Sequence, residues 1–118
     1  MRKYITILSL LFAVFGASTA WAHAHLDHAS PTIGSTVETA PREVALWFTE
    51  NLEPAFSTVH VMDASGARVD QGKAQVSSNT MRVGLTALAP GTYSVRWHAV
   101  SVDTHTTEGS FTFHVGAP

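Results

Sequence analysis

The chain has 118 residues, 7 Lys+Arg against 9 Asp+Glu, a formal net charge of −2, no cysteine and 7 histidines. A mildly acidic chain without a basic patch argues against nucleic acid or anionic lipid as a partner. The missing cysteines exclude disulfides and thiolate metal sites, so the fold must be held by its core alone and any metal must be held by nitrogen, oxygen or methionine sulfur.

Arg2 and Lys3 open the chain as a short basic region, Tyr4 to Phe15 is an almost unbroken apolar run, and Ala20-Trp21-Ala22 has the small-x-small pattern of a signal-peptidase site. The run is shorter than the roughly 20 residues a membrane span needs. Residues 1–22 are therefore expected to be a secretory signal cleaved after Ala22, and residues 23–118 one small exported domain. Cleavage takes away Arg2 and Lys3, leaving 5 Lys+Arg against 9 Asp+Glu and a net charge of −4, while all 7 histidines remain. His23 becomes the first residue.

After the breaks at Pro31, Gly34 and Pro41, Val44, Leu46 and Phe48 alternate with Ala45, Trp47 and Thr49, the period of a strand with one buried face. Val59 and Val61 alternate with Thr58, His60 and Met62 before a turn at Asp63-Ala64-Ser65-Gly66. Met81, Val83 and Leu85 form a third row, and after Pro90-Gly91, Tyr93, Val95, Trp97 and Ala99 form a fourth. Phe111, Phe113 and Val115 form a fifth. There is no helical stripe of useful length. About seven short strands in fewer than 100 residues predict an all-β fold, a single antiparallel β-sandwich or Greek-key barrel.

Two stretches carry chemistry. At a mature N-terminus His23 offers its imidazole and a free α-amine, whose reference pKa of about 7.7–8.0 lets a metal displace its proton near neutral pH. Asp103 and His105 stand two apart, so in an extended segment both side chains point to one side, roughly 6.6–6.8 Å apart along the chain. Together these residues supply three nitrogens and one oxygen, a tetragonal set that suits Cu(II), with Ni(II) next. A D-x-H pair alone is a common chance pattern, and the bland alternative for all three residues is a loose terminus and a solvated loop.

The segments "HAHLDHASP", "LWFTENLEPAFSTVHVMD" and "LAPGTYSVRWHAVSVDTHTTEGSFTFHV" resemble, in order and over essentially the whole mature chain, the CopC/PcoC/YobA family of periplasmic copper-binding proteins. The most specific parts are the histidine after the signal, the F-[ST]-E strand end, the P-G-T-Y turn and the W-x-x-x-S-x-D-x-H-x-x-x-G segment. The resemblance implies an immunoglobulin-like β-sandwich or barrel and a copper site made of His23, Asp103 and His105. Glu50, at the F-[ST]-E position, is implied as a residue that orients the site or binds weakly along its axis. It also implies a monomeric periplasmic carrier or buffer of one Cu(II) per chain, working with an inner-membrane transporter of the CopD type.

The chain departs from the family's pattern in two ways. Some relatives carry a methionine-rich loop that holds Cu(I), whereas here only Met62 and Met81 remain after cleavage, on separate strands, so no Cu(I) site is expected. Many relatives have proline after the terminal histidine, where this chain has Ala24. His23-Ala24-His25 thus permits a competing amino-terminal site of amine, two deprotonated amides and the His25 imidazole. The folded site is favoured over it because it needs no amide deprotonation.

The remaining polar residues have plainer readings. His25 and His28 flank an inward Leu26 and are expected at the surface, as are His60, His98 and His114 on the outward positions of their strands. Glu108 reads as a solvated loop residue, Arg96 as surface electrostatics, and Trp47 and Trp97 as packing residues. Two rival functions remain. One is a copper oxidative enzyme of the polysaccharide monooxygenase kind, against which stand the short chain and an Asp103 that would fill a position oxygen needs. The other is an adhesion module with no metal role, whose stability copper would leave unchanged.

Overall fold

All five expected strands form, and three further ones join them. The computed structural model describes residues 25–116, so the expected signal segment, its expected cleavage bond and His23 lie outside the described residues. The elements in chain order are β1 (Leu26–Ser30), β2 (Thr36–Val37), β3 (Glu43–Phe48), a 3₁₀ turn (Pro54–Phe56), β4 (Thr58–Met62), β5 (Asp70–Ser77), β6 (Thr80–Leu85), β7 (Gly91–Val100) and β8 (Thr106–Val115). Two four-stranded sheets result, in the orders β1-β3-β6-β5 and β2-β8-β7-β4. Every pairing is antiparallel except that of the two-residue β2, which runs parallel to β8.

The inward rows are those the alternation predicts. Val44, Leu46 and Phe48, with Met81, Val83 and Leu85, face Val59, Val61, Tyr93, Val95, Ala99, Phe111, Phe113 and Val115 across the sandwich, all buried. Each large side chain fully buried there contributes about 1.5–3 kcal/mol. Ala45 departs from the alternation: it is buried as well, between Ser30 and Arg82 on the neighbouring strands. Trp97 stays half-buried, packed on the core's edge against Phe48 and Phe111. The Tyr93 hydroxyl donates to the Ala89 carbonyl at 2.5 Å, the tyrosine corner frequent in immunoglobulin-like sandwiches.

The strands not foreseen have weak patterns for identifiable reasons. β1 carries a register irregularity between Leu26 and His28, which breaks its period. β5 is a polar edge strand with a register shift between Gln71 and Gln75, where Gly72 takes φ +73°. A lysine and a bulge on an edge blunt pairing with other chains, at the cost of a legible pattern. At its start, the buried Asp70 carboxylate ties β5 to β4. It accepts from the Val61 amide at 2.9 Å, from Arg68 Nε and Nη2 at 3.0 Å each, and from His60 Nδ1 at 3.3 Å.

Candidate metal centre

Four pieces of chain meet at one end of the sandwich: the first described residue, the segment after β3, the β5–β6 turn and the β7–β8 turn. The segment 49–53 is their common neighbour. Thr49 is tied to His25 by two hydrogen bonds, Thr49 N–H to the His25 carbonyl at 2.9 Å and His25 N–H to Thr49 Oγ1 at 2.8 Å. The Leu52 amide donates to Ser78 O at 2.9 Å, and buried Leu52 anchors the segment in the core. On the other side Glu53 N–H donates to Val100 O at 2.7 Å and Val102 N–H to Asn51 O at 3.0 Å. Glu50 sits in this segment, half-buried, one residue from the N-terminal contact and one from the contact to the β7–β8 turn.

The turn itself spans Ser101 to His105. Ser101 N–H donates to His105 O and Thr104 N–H to Ser101 O, both at 2.8 Å, while Thr104 takes φ +72°. An extended D-x-H segment was expected here, with side chains parallel along a strand. The chain instead folds back on itself, because Thr104 in the left-handed region reverses its direction. Within this turn Asp103 Oδ2 lies 3.2 Å from His105 Nδ1.

Asp103 is held from behind. The hydroxyl of Ser101, a fully buried residue, donates to Asp103 Oδ1, which also accepts from the His105 amide at 3.2 Å. Oδ1 is thus occupied by the protein, and Oδ2 is turned toward the imidazole. The Ser101 hydrogen bond, then the His105 side chain and amide, hold the carboxyl at a pKa of about 2, so it is ionised at neutral pH. An ionised carboxylate can only accept, so the facing Nδ1 carries the ring proton when no metal is bound, and a cation taking that proton's place would meet Oδ2 and Nδ1 together. Both side chains are about half exposed, His105 53% and Asp103 47%. Among the described residues no group of three or more His, Cys, Asp or Glu side chains could hold a metal. Asp103 and His105 form a pair whose expected third member, His23, lies outside those residues.

Sequence reasoning missed the support of this pair. Ser101 was visible as the S of S-x-D-x-H, yet its burial was not. Gly109 has a steric reason: a Cβ there would come within 2.5 Å of Trp97 Cη2 and Cζ2, because the indole lies across the glycine on the paired position of β7. Trp97 and Gly109 thus pack together on β7 and β8, and Ser101 holds Asp103 within the turn between those strands. His28, expected as plain surface, stacks its ring on Trp47 at 4.5 Å with the planes 7° apart, and Arg82 lies over the same indole at 5.5 Å. Met81 is buried in the core of one sheet and Met62 sits on β4 of the other.

Residues 26–116 match the family model described as the CopC domain. The chain is 35% identical over 112 residues to Protein YobA of Escherichia coli (strain K12), covering 92% of this chain and 90% of that one. It is also 35% identical over 114 residues to the copper transport protein CutJ of Bacillus subtilis (strain 168), covering 93% of this chain and 21% of that longer protein. Among solved structures, the crystal structure of CopC from Methylosinus trichosporium OB3b aligns with a TM-score of 0.76 at 31% identity, covering 80% of this chain and 95% of that one.

Proposed function

Because the chain belongs to the CopC family, we propose that it is an exported, monomeric Cu(II)-binding protein of the periplasm that buffers copper and hands it to an inner-membrane transporter of the CopD type. The observation that carries this reading is the Asp103–His105 turn, where a carboxylate held ionised by buried Ser101 faces an imidazole at 3.2 Å. His23, once freed by cleavage after Ala22, adds its amine and imidazole to complete three nitrogens and one oxygen for one Cu(II). The contact between Thr49 and His25 brings the start of the chain to the segment that borders this turn, which supports His23 as the third residue. Glu50, on the same segment, orients the site from its side.

Copper is cargo in this reading. Capture needs an ionised carboxylate, neutral imidazoles and an amine that gives up its proton; it needs no group that breaks a bond. The half-exposed ligands leave a path by which a membrane partner reaches the ion. Copper transport in the name of the longer relative CutJ supports transfer as the purpose. With Met81 in the core, the two thioethers form no pair around a soft ion, so the proposed cargo is Cu(II) and not Cu(I). Copper titration of the exported protein and of its His105→Ala variant tests the site: one tight equivalent is expected in the first and a severe loss of affinity in the second. Equal affinity in both would overturn it. Release of oxidised sugars from chitin or cellulose with copper and a reductant would replace carriage by catalysis.

A further inference from the structure

The outer face of the β2-β8-β7-β4 sheet carries a second constellation. His60 on β4, Arg96 and His98 on β7, and Glu108 and Ser110 on β8 line one open groove of about 490 Å³ with Thr58. Register places Thr58, His98 and Glu108 in one row across the three strands and His60, Arg96 and Ser110 in the next. His60 and His98 are therefore diagonal neighbours on one face, a spacing that long and aromatic side chains can bridge. Both side chains are more than two-fifths exposed, at 42% and 45%.

Each imidazole is oriented by a carboxylate on the same ring atom. His98 Nδ1 is 3.1 Å from Glu108 Oε2, and His60 Nδ1 is 3.3 Å from Oδ2 of the buried Asp70. An ionised carboxylate only accepts, so Nδ1 bears the proton in both rings and Nε2 presents the lone pair. A carboxylate behind an imidazole is the arrangement that fixes tautomer and direction in metal-binding histidines. Asp70 offsets the charge of Arg68, and Glu108 beside His98 adds a negative charge to the groove that Arg96 also lines.

We propose that His60 and His98 form a second, weaker site for a borderline divalent cation, Cu(II) foremost, separate from the site at the end of the sandwich. Two imidazoles bind through Nε2 and water completes the coordination, which explains why no group of three protein ligands is needed. Imidazole pairs suit Cu(II) and Zn(II). The site gives the protein a place for excess copper on a face that the N-terminus does not control.

The test is Cu(II) titration against a competing chelator, using the exported protein, the same protein with its α-amine acetylated, and the His60→Ala/His98→Ala variant. Both histidines are on the solvent face, so the variant keeps the core. The exported protein should bind a tight and a weaker equivalent, acetylation should remove the tight one alone, and the double variant should remove the weaker one alone. Glu108→Gln should weaken the second equivalent by about 10- to 100-fold. A single equivalent in the unmodified protein, or a weaker one that survives in the double variant, overturns this site. An acetylated protein that still binds tightly overturns the amino-terminal site instead, and leaves the groove standing.

Discussion

The amide of His25 donates to Thr49 Oγ1 at 2.8 Å, and the amide of Thr49 returns the bond to the His25 carbonyl at 2.9 Å. The competing amino-terminal copper motif requires that same His25 amide, deprotonated and turned onto the metal. The fold therefore holds the proton that the competitor must remove. Thr49→Val keeps the shape and loses the acceptor, so it should shift bound Cu(II) toward amide coordination at neutral pH. The visible absorption of the copper protein reports the change, and a spectrum identical to that of the parent would show that Thr49 plays no part in the choice.

Ser101 is buried and its hydroxyl holds Asp103 Oδ1. Ser101→Ala should lower Cu(II) affinity about 10- to 100-fold, the usual cost of losing a partner that orients a ligand. The loss to the apo fold should be only about 1 kcal/mol, because the half-exposed Asp103 can turn to water. Affinity measured well below the melting temperature separates the two effects; an unchanged affinity with a lowered melting temperature would make Ser101 a purely structural residue.

Gly109→Ala places a methyl group where the Trp97 indole lies. Trp97 must then leave its place against Phe48 and Phe111, and overpacking of this kind costs about 1–3 kcal/mol. Denaturant unfolding with Trp97 fluorescence would record the loss. Wild-type stability in this variant would contradict the packing described.

The sandwich was legible in the sequence wherever one strand face is apolar and the other polar, as along Val44–Phe48 and Phe111–Val115. It was illegible at β5, whose edge position asks for Lys73, Gln75 and a bulge in place of an apolar row. The Asp103–His105 pair could be singled out from type and spacing, but the turn that joins them depends on Thr104 at φ +72°, which a threonine does not advertise. The buried hydroxyl of Ser101 and the indole over Gly109 are tertiary facts: they require knowing which strands pair and in what register. His60 and His98 are thirty-eight positions apart in the chain, and only the β4–β7 register makes them neighbours.

Asp70 sets a pH dependence. Burial pushes its pKa up, but the Arg68 hydrogen bonds, the Val61 amide, His60 and the Arg68 charge outweigh that and hold it at about 2 against an ordinary 3.8. A carboxylate depressed in the folded state stabilises above the unfolded pKa and ceases to do so as pH falls through the folded one. Stability of the apo protein should thus decline between about pH 4 and pH 2, with Asp70 contributing on the order of 2 kcal/mol. Asp103, also at about 2, acts in the same window. Asp70→Asn should flatten the decline without abolishing it, and an equally steep decline in that variant would exclude Asp70 as a cause.

The most direct measurement of the central claim is Cu(II) affinity of the protein starting at His23, established by intact mass, beside the same protein extended by residues before His23. A site built on the His23 amine and imidazole with Asp103 and His105 predicts that extension weakens the tight equivalent by more than about 100-fold, beyond the 10- to 100-fold typical of losing an outer partner. Equal affinity in the two proteins would contradict it.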